Sequence, residues 1–128
     1  MRRSAALATP IAAGEYVYGK VPFRHLLEAR AVDIVMIDVL RAGGITQWLK
    51  IAGMAEAFNL PVVNHLYPEI SVHLVAAIPN GLTVEYMPWS ARLYREVPQP
   101  VNGMLSVPER PGLGLEFDEA TLRRYGVD

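Results

Sequence analysis

The chain of 128 residues is long enough for one domain, and its composition, 52% apolar and 20% charged, is that of a folded globular protein. Lysine and arginine number 12 against 13 aspartate and glutamate residues, so a formal net charge of −1 provides no basic surface for nucleic acid or an anionic membrane. The absence of cysteine excludes disulfides, thiolate metal sites and cysteine nucleophiles and favours the cytoplasm, and no apolar run approaches the ~20 residues of a membrane span.

Four short apolar runs recur along the chain, each ending at or near one polar residue. Ahead of them, Arg2 and Arg3 precede a small-residue segment like that of a secretory signal, but its apolar stretch is too short for one. The first run, residues 9–15, ends at Glu15. A helix with Pro22 in its first turn is predicted after it.

The second run, residues 33–38, has the continuous apolar character of a strand buried on both faces, and it ends at Asp38. Gly43 and Gly44 then open the most clearly predicted helix, which ends at Asn59. Its inward face is predicted to consist of Ile45, Trp48, Ile51, Ala52, Ala55 and Phe58.

The third run ends at His65, and the fourth, residues 81–86, contains Glu85. The helix between them is predicted to bury the stripe Ile70, Leu74 and Ile78. Strand, turn, helix and strand at these lengths imply an α/β fold with parallel strands and crossover helices. The four polar residues are 23, 27 and 20 positions apart, which suits one crossover each and places them all at the carboxyl-terminal edge of the sheet.

Residues 96–120 differ in character, being rich in proline and glycine. Asn102 and Gly103 between short apolar runs predict a hairpin turn. Asp118 predicts the cap of a last short helix that runs toward Tyr125. We expect this segment to be an ordered tail that wraps over another part of the molecule.

Glu15, Asp38, His65 and Glu85 form the candidate functional set. Any one of them alone is explained equally well as a helix cap or an ion-pair partner, but four that each follow an apolar strand favour a site. A histidine bonded to an aspartate is held in one tautomer with its charged form stabilised, which suits proton abstraction near neutral pH. His65 with Asp38 fits that description.

The other two histidines, His25 and His73, lie within predicted crossover helices. His73 follows Glu69 by one helical turn, so surface packing or an ion pair is the better interpretation. Both therefore stay outside the candidate set.

These patterns together resemble the carboxyl-terminal half of mandelate racemase and its acid-sugar dehydratase relatives, in the mandelate racemase and muconate lactonizing enzyme type of the enolase superfamily. The resemblance covers the chain from Thr9 onward and rests on residues 10–15, 33–46, 55–77, 84–86 and 107–128. It implies the second half of a (β/α)₈ barrel, strands five to eight with their crossover helices over residues 9–90, and a Pro/Gly-rich tail over residues 91–128. The amino-terminal capping domain and the first barrel half are absent from this pattern.

By that resemblance Glu15 ends the fifth strand and is the third carboxylate ligand of a Mg²⁺ ion. Asp38 and His65 end the sixth and seventh strands and form the base dyad, while Glu85 on the eighth strand hydrogen-bonds the substrate carboxylate as a protonated acid. Arg41 lies where the family often has a cation near the dyad, and its role stays open. The implied substrate is a small 2-hydroxy acid or sugar acid that loses its alpha proton to give an ene-diolate. Dehydration is favoured slightly over racemisation.

The family pattern also requires two further metal ligands and a lysine-containing base motif. Lys20 and Lys50 are the only lysines, and neither follows a predicted strand in that way. One carboxylate does not make a Mg²⁺ site by itself. We therefore interpret Met1 as the start of a truncated reading frame or as an internal methionine, and we expect the isolated chain to be an inactive enzyme fragment.

Two alternatives stay open. A half barrel could form an active homodimer or pair with a complementing amino-terminal half, or the chain could be a non-catalytic remnant used for interaction.

Overall fold

Four parallel strands and the helices between them make up the computed structural model, which describes residues 7–126. The elements in chain order are β1 (Ala12–Ala13), α1 (Lys20–Glu28), β2 (Ile34–Asp38), α2 (Ile45–Ala57), β3 (Val62–His65), α3 (Pro68–Ala76), β4 (Gly81–Thr83), a 3₁₀ helix (Ala91–Leu93) and α4 (Glu119–Tyr125). The parallel α/β fold expected from the sequence is confirmed. The start with Arg2 and Arg3 lies outside the described residues.

The strands pair in chain order, β1-β2-β3-β4, with one helix in each connection. The last rung of the β2–β3 ladder sets Asp38 opposite His65, and the β3–β4 ladder ends at Val63 opposite Thr83. β1 and β4 form the two edges of the sheet, and Leu82 in β4 is 57% exposed. None of the helices in the described ranges combines the length and apolar character needed to cross a membrane.

The core lies between the helices and one face of the sheet. Val35 and Ile37 of β2 are fully buried, as are Phe23 and Leu27 of α1 and Trp48 of α2. Burying each large apolar side chain of this kind stabilises the fold by about 1.5–3 kcal/mol. The Trp48 indole N–H donates to the Ile37 carbonyl at 3.1 Å, so its one polar group is satisfied in the core.

Burial of β2 and α2 is less complete than the sequence predicts. Ile34 and Met36 of β2 are only half-buried, because successive side chains point to opposite faces and the core cluster covers one face. Ile45 and Phe58 are each 42% exposed. They lie at the first residue of α2 and just past its last residue, so the predicted inward face is correct only for the middle of the helix.

The interior face of α3 also differs from prediction. Leu74 is buried, but Ile70 is only half-buried, while Glu69 is 1% exposed and accepts a hydrogen bond from the Ser90 hydroxyl. Of the two alternatives for His73, the ion pair with Glu69 is wrong, since none forms in the part of the chain described. His73 Nε2 instead lies 3.0 Å from the Leu113 carbonyl oxygen, which ties the tail to α3.

The tail contains the predicted turn and helix. Val101 and Met104 exchange two backbone hydrogen bonds of 2.8 and 2.9 Å. Asn102 and Gly103 between them both have positive φ, 51° and 76°, as a two-residue hairpin turn of this hand requires. The last helix, α4, begins directly after its cap Asp118, as expected.

Candidate active site

The carboxyl-terminal edge of the sheet brings three of the four predicted site residues into direct contact. His65 Nδ1 lies 2.8 Å from Asp38 Oδ2, and His65 Nε2 lies 3.3 Å from Glu15 Oε2. The imidazole therefore sits between two carboxylates, one at each ring nitrogen. Glu85 is held apart from this group, since its Oε2 accepts the Leu66 backbone N–H at 2.7 Å.

Local backbone geometry fixes the orientation of Asp38. Its side chain is 3% exposed, and Oδ1 accepts the backbone N–H groups of Leu40 and Arg41 at 2.8 and 2.9 Å. These bonds turn Oδ2 toward His65. Because a carboxylate only accepts, the Nδ1 that faces Asp38 donates to it, and Nε2, which faces Glu15, is the ring nitrogen directed away from the dyad.

Glu15 owes its position to Gly14, which directly follows β1. Gly14 has φ +135°, and a Cβ at this position would lie 2.4 Å from the Met36 carbonyl oxygen. Only glycine permits this close approach of the chain to β2. The turn then directs the Glu15 carboxylate, whose side chain is 40% exposed, toward His65.

Arg41 supplies the positive charge beside the dyad. Its Nη1 donates to the Glu15 backbone carbonyl at 3.1 Å and lies 3.7 Å from Asp38 Oδ2. The same nitrogen is 3.4 Å from His65 Nδ1. The guanidinium stacks over the Tyr16 ring, 4.1 Å from its centroid, so the cation is held in place from two sides. It partly offsets the two carboxylates around the imidazole.

Sequence reasoning missed Asn64, which precedes His65 on β3. Asn64 is fully buried, and its side chain contacts the backbones of Leu66 and Glu85. The signal was a polar residue inside the apolar run of residues 60–65, since a buried amide must find partners.

Two hollows of similar size flank the molecule. One of about 500 Å³ lies on the β1 side and is lined in part by Gly14, Glu15 and Tyr16. The other, about 480 Å³, is lined by Arg30 and Asn59 among others and by none of the four predicted site residues. The first hollow is the relevant one for chemistry, because Glu15 lines it and contacts His65.

The donor set is compatible with one ligand of a metal ion. Residues 7–126 contain no group of three or more histidine, aspartate or glutamate side chains that could hold a metal together. Glu15 presents one partly exposed carboxylate. Mg²⁺ in proteins is usually bound by one or two carboxylates together with water and substrate oxygens. Glu15 is thus a candidate for one ligand of such a site.

Comparison with known proteins identifies relatives of this chain. The family model described as enolase C-terminal domain-like matches residues 1–121. The chain is 42% identical to D-xylonate dehydratase of Haloferax volcanii over 94% of this chain and 31% of that protein. It is 33% identical to L-talarate/galactarate dehydratase of Salmonella typhimurium over 94% of this chain and 30% of that protein.

Solved structures give the same result. L-talarate dehydratase from Polaromonas sp. JS666, crystallised with Mg and L-glucarate, matches with a TM-score of 0.88 and 38% identity. The match covers 94% of this chain and 34% of that one. This chain therefore spans about a third of the length of the relatives it matches.

Proposed function

Because the chain belongs to the enolase C-terminal domain-like family, of the mandelate racemase and muconate lactonizing enzyme type, we propose that it forms part of a Mg²⁺-dependent sugar-acid dehydratase. The observation that carries the proposal is the His65 imidazole between Asp38 and Glu15. In this proposal β1 to β4 are the fifth to eighth strands of a (β/α)₈ barrel. The β/α units occupy residues 9–90, and residues 91–128 form the tail.

A sugar-acid substrate is favoured by the relatives. The two curated proteins are dehydratases of D-xylonate and of L-talarate or galactarate, all polyhydroxy acids. Each carries a hydroxyl on the carbon next to the one that bears the alpha proton, so proton removal can be followed by loss of water. A substrate without that hydroxyl could only regain a proton, as in racemisation.

His65 acts as the general base in this scheme. Nδ1–H stays bonded to Asp38, and Nε2 removes the alpha proton of the substrate, so the proton moves from carbon to nitrogen while its electron pair enters the ene-diolate. The imidazolium that forms is stabilised by the Asp38 carboxylate bonded to Nδ1. Arg41 limits the excess negative charge around it.

Glu15 and Glu85 divide the remaining work. Glu15 would hold the Mg²⁺ ion, which when bound stabilises negative charge on the substrate carboxylate as a Lewis acid. Glu85 would act as a protonated acid toward the same carboxylate. Oε2 of Glu85 already accepts the Leu66 N–H, which leaves Oε1 as the oxygen to face the substrate.

The isolated chain is proposed to be inactive, because the remaining metal ligands must come from elsewhere. Within residues 7–126 the outer edges of β1 and β4 pair with no further strand, which supports a second proposal in which two copies associate and complete the site between them. Light scattering combined with an assay of alpha-proton exchange separates the two, since the second proposal requires a dimer that is active and the first expects no activity in either state.

Exchange of the alpha proton with deuterated solvent tests the function. The protein for this test joins the chain to the remainder of the Polaromonas L-talarate dehydratase, in place of the third that it matches. We expect exchange with D-xylonate, galactarate or L-glucarate and loss of about 100-fold or more in His65→Asn. His25→Asn, an exposed histidine in α1, is the control and should exchange normally. Parental exchange in the His65 variant would rule out the proposed base.

A further inference from the structure

We propose that Asn64 is a positioning residue that holds the acid Glu85 and the turn after the base His65 in one fixed arrangement. The geometric claim stands on the contacts alone, and its catalytic consequence rests on the proposed function. Asn64 touches neither carboxylate nor imidazole, so it acts through the backbone.

The side chain of Asn64 replaces strand pairing where the sheet ends. The β3–β4 ladder stops at Val63 opposite Thr83, so Glu85 has no ladder partner on β3. Asn64 Oδ1 accepts the Glu85 backbone N–H at 2.7 Å, and Nδ2 donates to the Glu85 carbonyl at 3.2 Å. Both backbone groups of Glu85 are thereby bound by one fully buried amide.

The same amide fixes the neighbouring turn. Nδ2 of Asn64 also donates to the Leu66 carbonyl at 2.8 Å, which accepts the Ser71 hydroxyl at 3.2 Å as well. Leu66 and Tyr67 have φ of 55° and 47°, two successive left-handed residues that are not glycine. Such backbone is costly and persists only when its surroundings determine it.

The turn at Leu66 and Tyr67 orients the Glu85 side chain. The Leu66 N–H donates to Glu85 Oε2 at 2.7 Å, so the carboxylate is bound by the peptide that follows His65. Asn64, Leu66 and Glu85 thus form a closed ring of hydrogen bonds. Because base and acid must reach the same substrate, a small displacement of one against the other lowers the rate strongly.

Amide hydrogen exchange of the chain itself tests the geometric claim. In Asn64→Ala we expect protection from exchange to fall at the Leu66 and Glu85 amides. The fall there should exceed the fall at the Trp48 amide in the core by about fivefold or more, which corresponds to the free energy of about one hydrogen bond. The matched control is Asn80→Ala, since Asn80 Nδ2 also bridges two carbonyls, those of Ala52 and Leu60, outside this ring. Asn80→Ala should lower protection at the Leu66, Glu85 and Trp48 amides to the same extent. If the loss at Leu66 and Glu85 relative to the loss at Trp48 were the same in both variants, the proposal would be overturned.

A measurement on the unaltered chain covers the case in which Asn64→Ala does not fold. The Nδ2 protons of Asn64 should exchange at least about tenfold more slowly than those of Asn102, which lies exposed in the hairpin turn. Exchange at the rate of Asn102 would show that the buried ring does not form.

The catalytic consequence is tested in the joined protein. Asn64→Ala should lower kcat for alpha-proton exchange by about 10- to 100-fold, with a smaller change in KM, whereas Asn80→Ala should leave both near parental values. Parental kcat in Asn64→Ala would overturn the positioning role. If the joined protein with Asn64 intact shows no exchange at all, the proposed function fails, while amide exchange still decides whether the ring exists.

Discussion

Asp38 and His65 occupy the same rung of two neighbouring parallel strands, and their side chains meet at 2.8 Å beyond it. The backbone ladder therefore sets their separation, and the amides of Leu40 and Arg41 set the carboxylate rotation. A dyad built this way needs no substrate or metal to assemble. The contribution of Asp38 to the rate of proton removal should accordingly be measurable by replacing Asp38 alone.

Asp38→Asn should lower the alpha-proton exchange rate of the joined protein by about 10- to 100-fold, the worth of one charge-assisted hydrogen bond. The asparagine keeps the shape but no longer stabilises the imidazolium. Mg²⁺ affinity, measured by calorimetry, should stay nearly unchanged. A variant that lost metal binding to the same extent as activity would place Asp38 among the ligands instead.

Glu15→Gln should act in the opposite order. Removing a charged oxygen ligand should weaken Mg²⁺ binding by the joined protein by at least about tenfold. Even replacing a residue that only hydrogen-bonds a metal ligand typically lowers metal affinity by about that much. At saturating Mg²⁺ the exchange rate should recover in part. Unchanged affinity would show that Glu15 serves His65 alone, through their 3.3 Å contact.

The isolated chain should bind Mg²⁺ only weakly, because one carboxylate provides too few oxygens for the ion. Calorimetric titration of the chain should show no stoichiometric binding in the micromolar range. Tight binding by a monomer would mean that the ligand set has been misassigned.

Gly14→Ala should destabilise the chain by about 1–3 kcal/mol, since the new Cβ would collide with the Met36 carbonyl oxygen and the residue has φ +135°. Gly53→Ala in α2 is the matched control, because nothing lies within 4 Å of its added Cβ. That change should be neutral or stabilise by up to about 1 kcal/mol. Urea denaturation measures both, and equal midpoints would contradict the close-approach argument.

Stability of α4 should depend on acid through Asp118. Its carboxylate accepts the Thr121 backbone N–H, and this hydrogen bond lowers the pKa of Asp118 below its usual 3.8. A carboxyl whose pKa is lower in the folded state stabilises fully above the unfolded value and loses that contribution as pH falls through the folded one. The protection factor of the Thr121 amide, which is corrected for the intrinsic pH dependence of exchange, should therefore fall below about pH 3.8. Asp118→Asn, an equally good cap that does not titrate, should remove this dependence.

The sequence predicts the contact between Asp38 and His65 at the carboxyl-terminal edge of the sheet. The prediction succeeds because neighbouring parallel strands end at the same edge, independently of how the helices pack. The same alignment predicts Glu85 near that edge but does not predict its hydrogen-bond partner. The Leu66 N–H reaches Glu85 only through a left-handed turn, a conformation that leucine and tyrosine do not signal. Asn64 was detectable as a polar residue in a buried strand.

Limits of the helical pattern show at the ends of elements. Spacing alone placed Ile45 and Phe58 inward, but a helix face is covered only where another element lies beneath it. The buried Glu69 is the reverse case, since its partner Ser90 comes from a segment after β4 that has no regular pattern. Contacts with irregular chain are beyond what periodicity can predict.

The open edge at β4 has a practical consequence for anyone handling the chain. All three residues of the strand are exposed, and Leu82 adds an apolar side chain to a row of peptide groups that can accept another strand. Concentrated solutions are thus expected to self-associate through this edge, and crystals grown from them would record that contact. Lysine in place of Leu82, the kind of charge that natural edge strands use as a gatekeeper, offers a more tractable sample while leaving the dyad untouched.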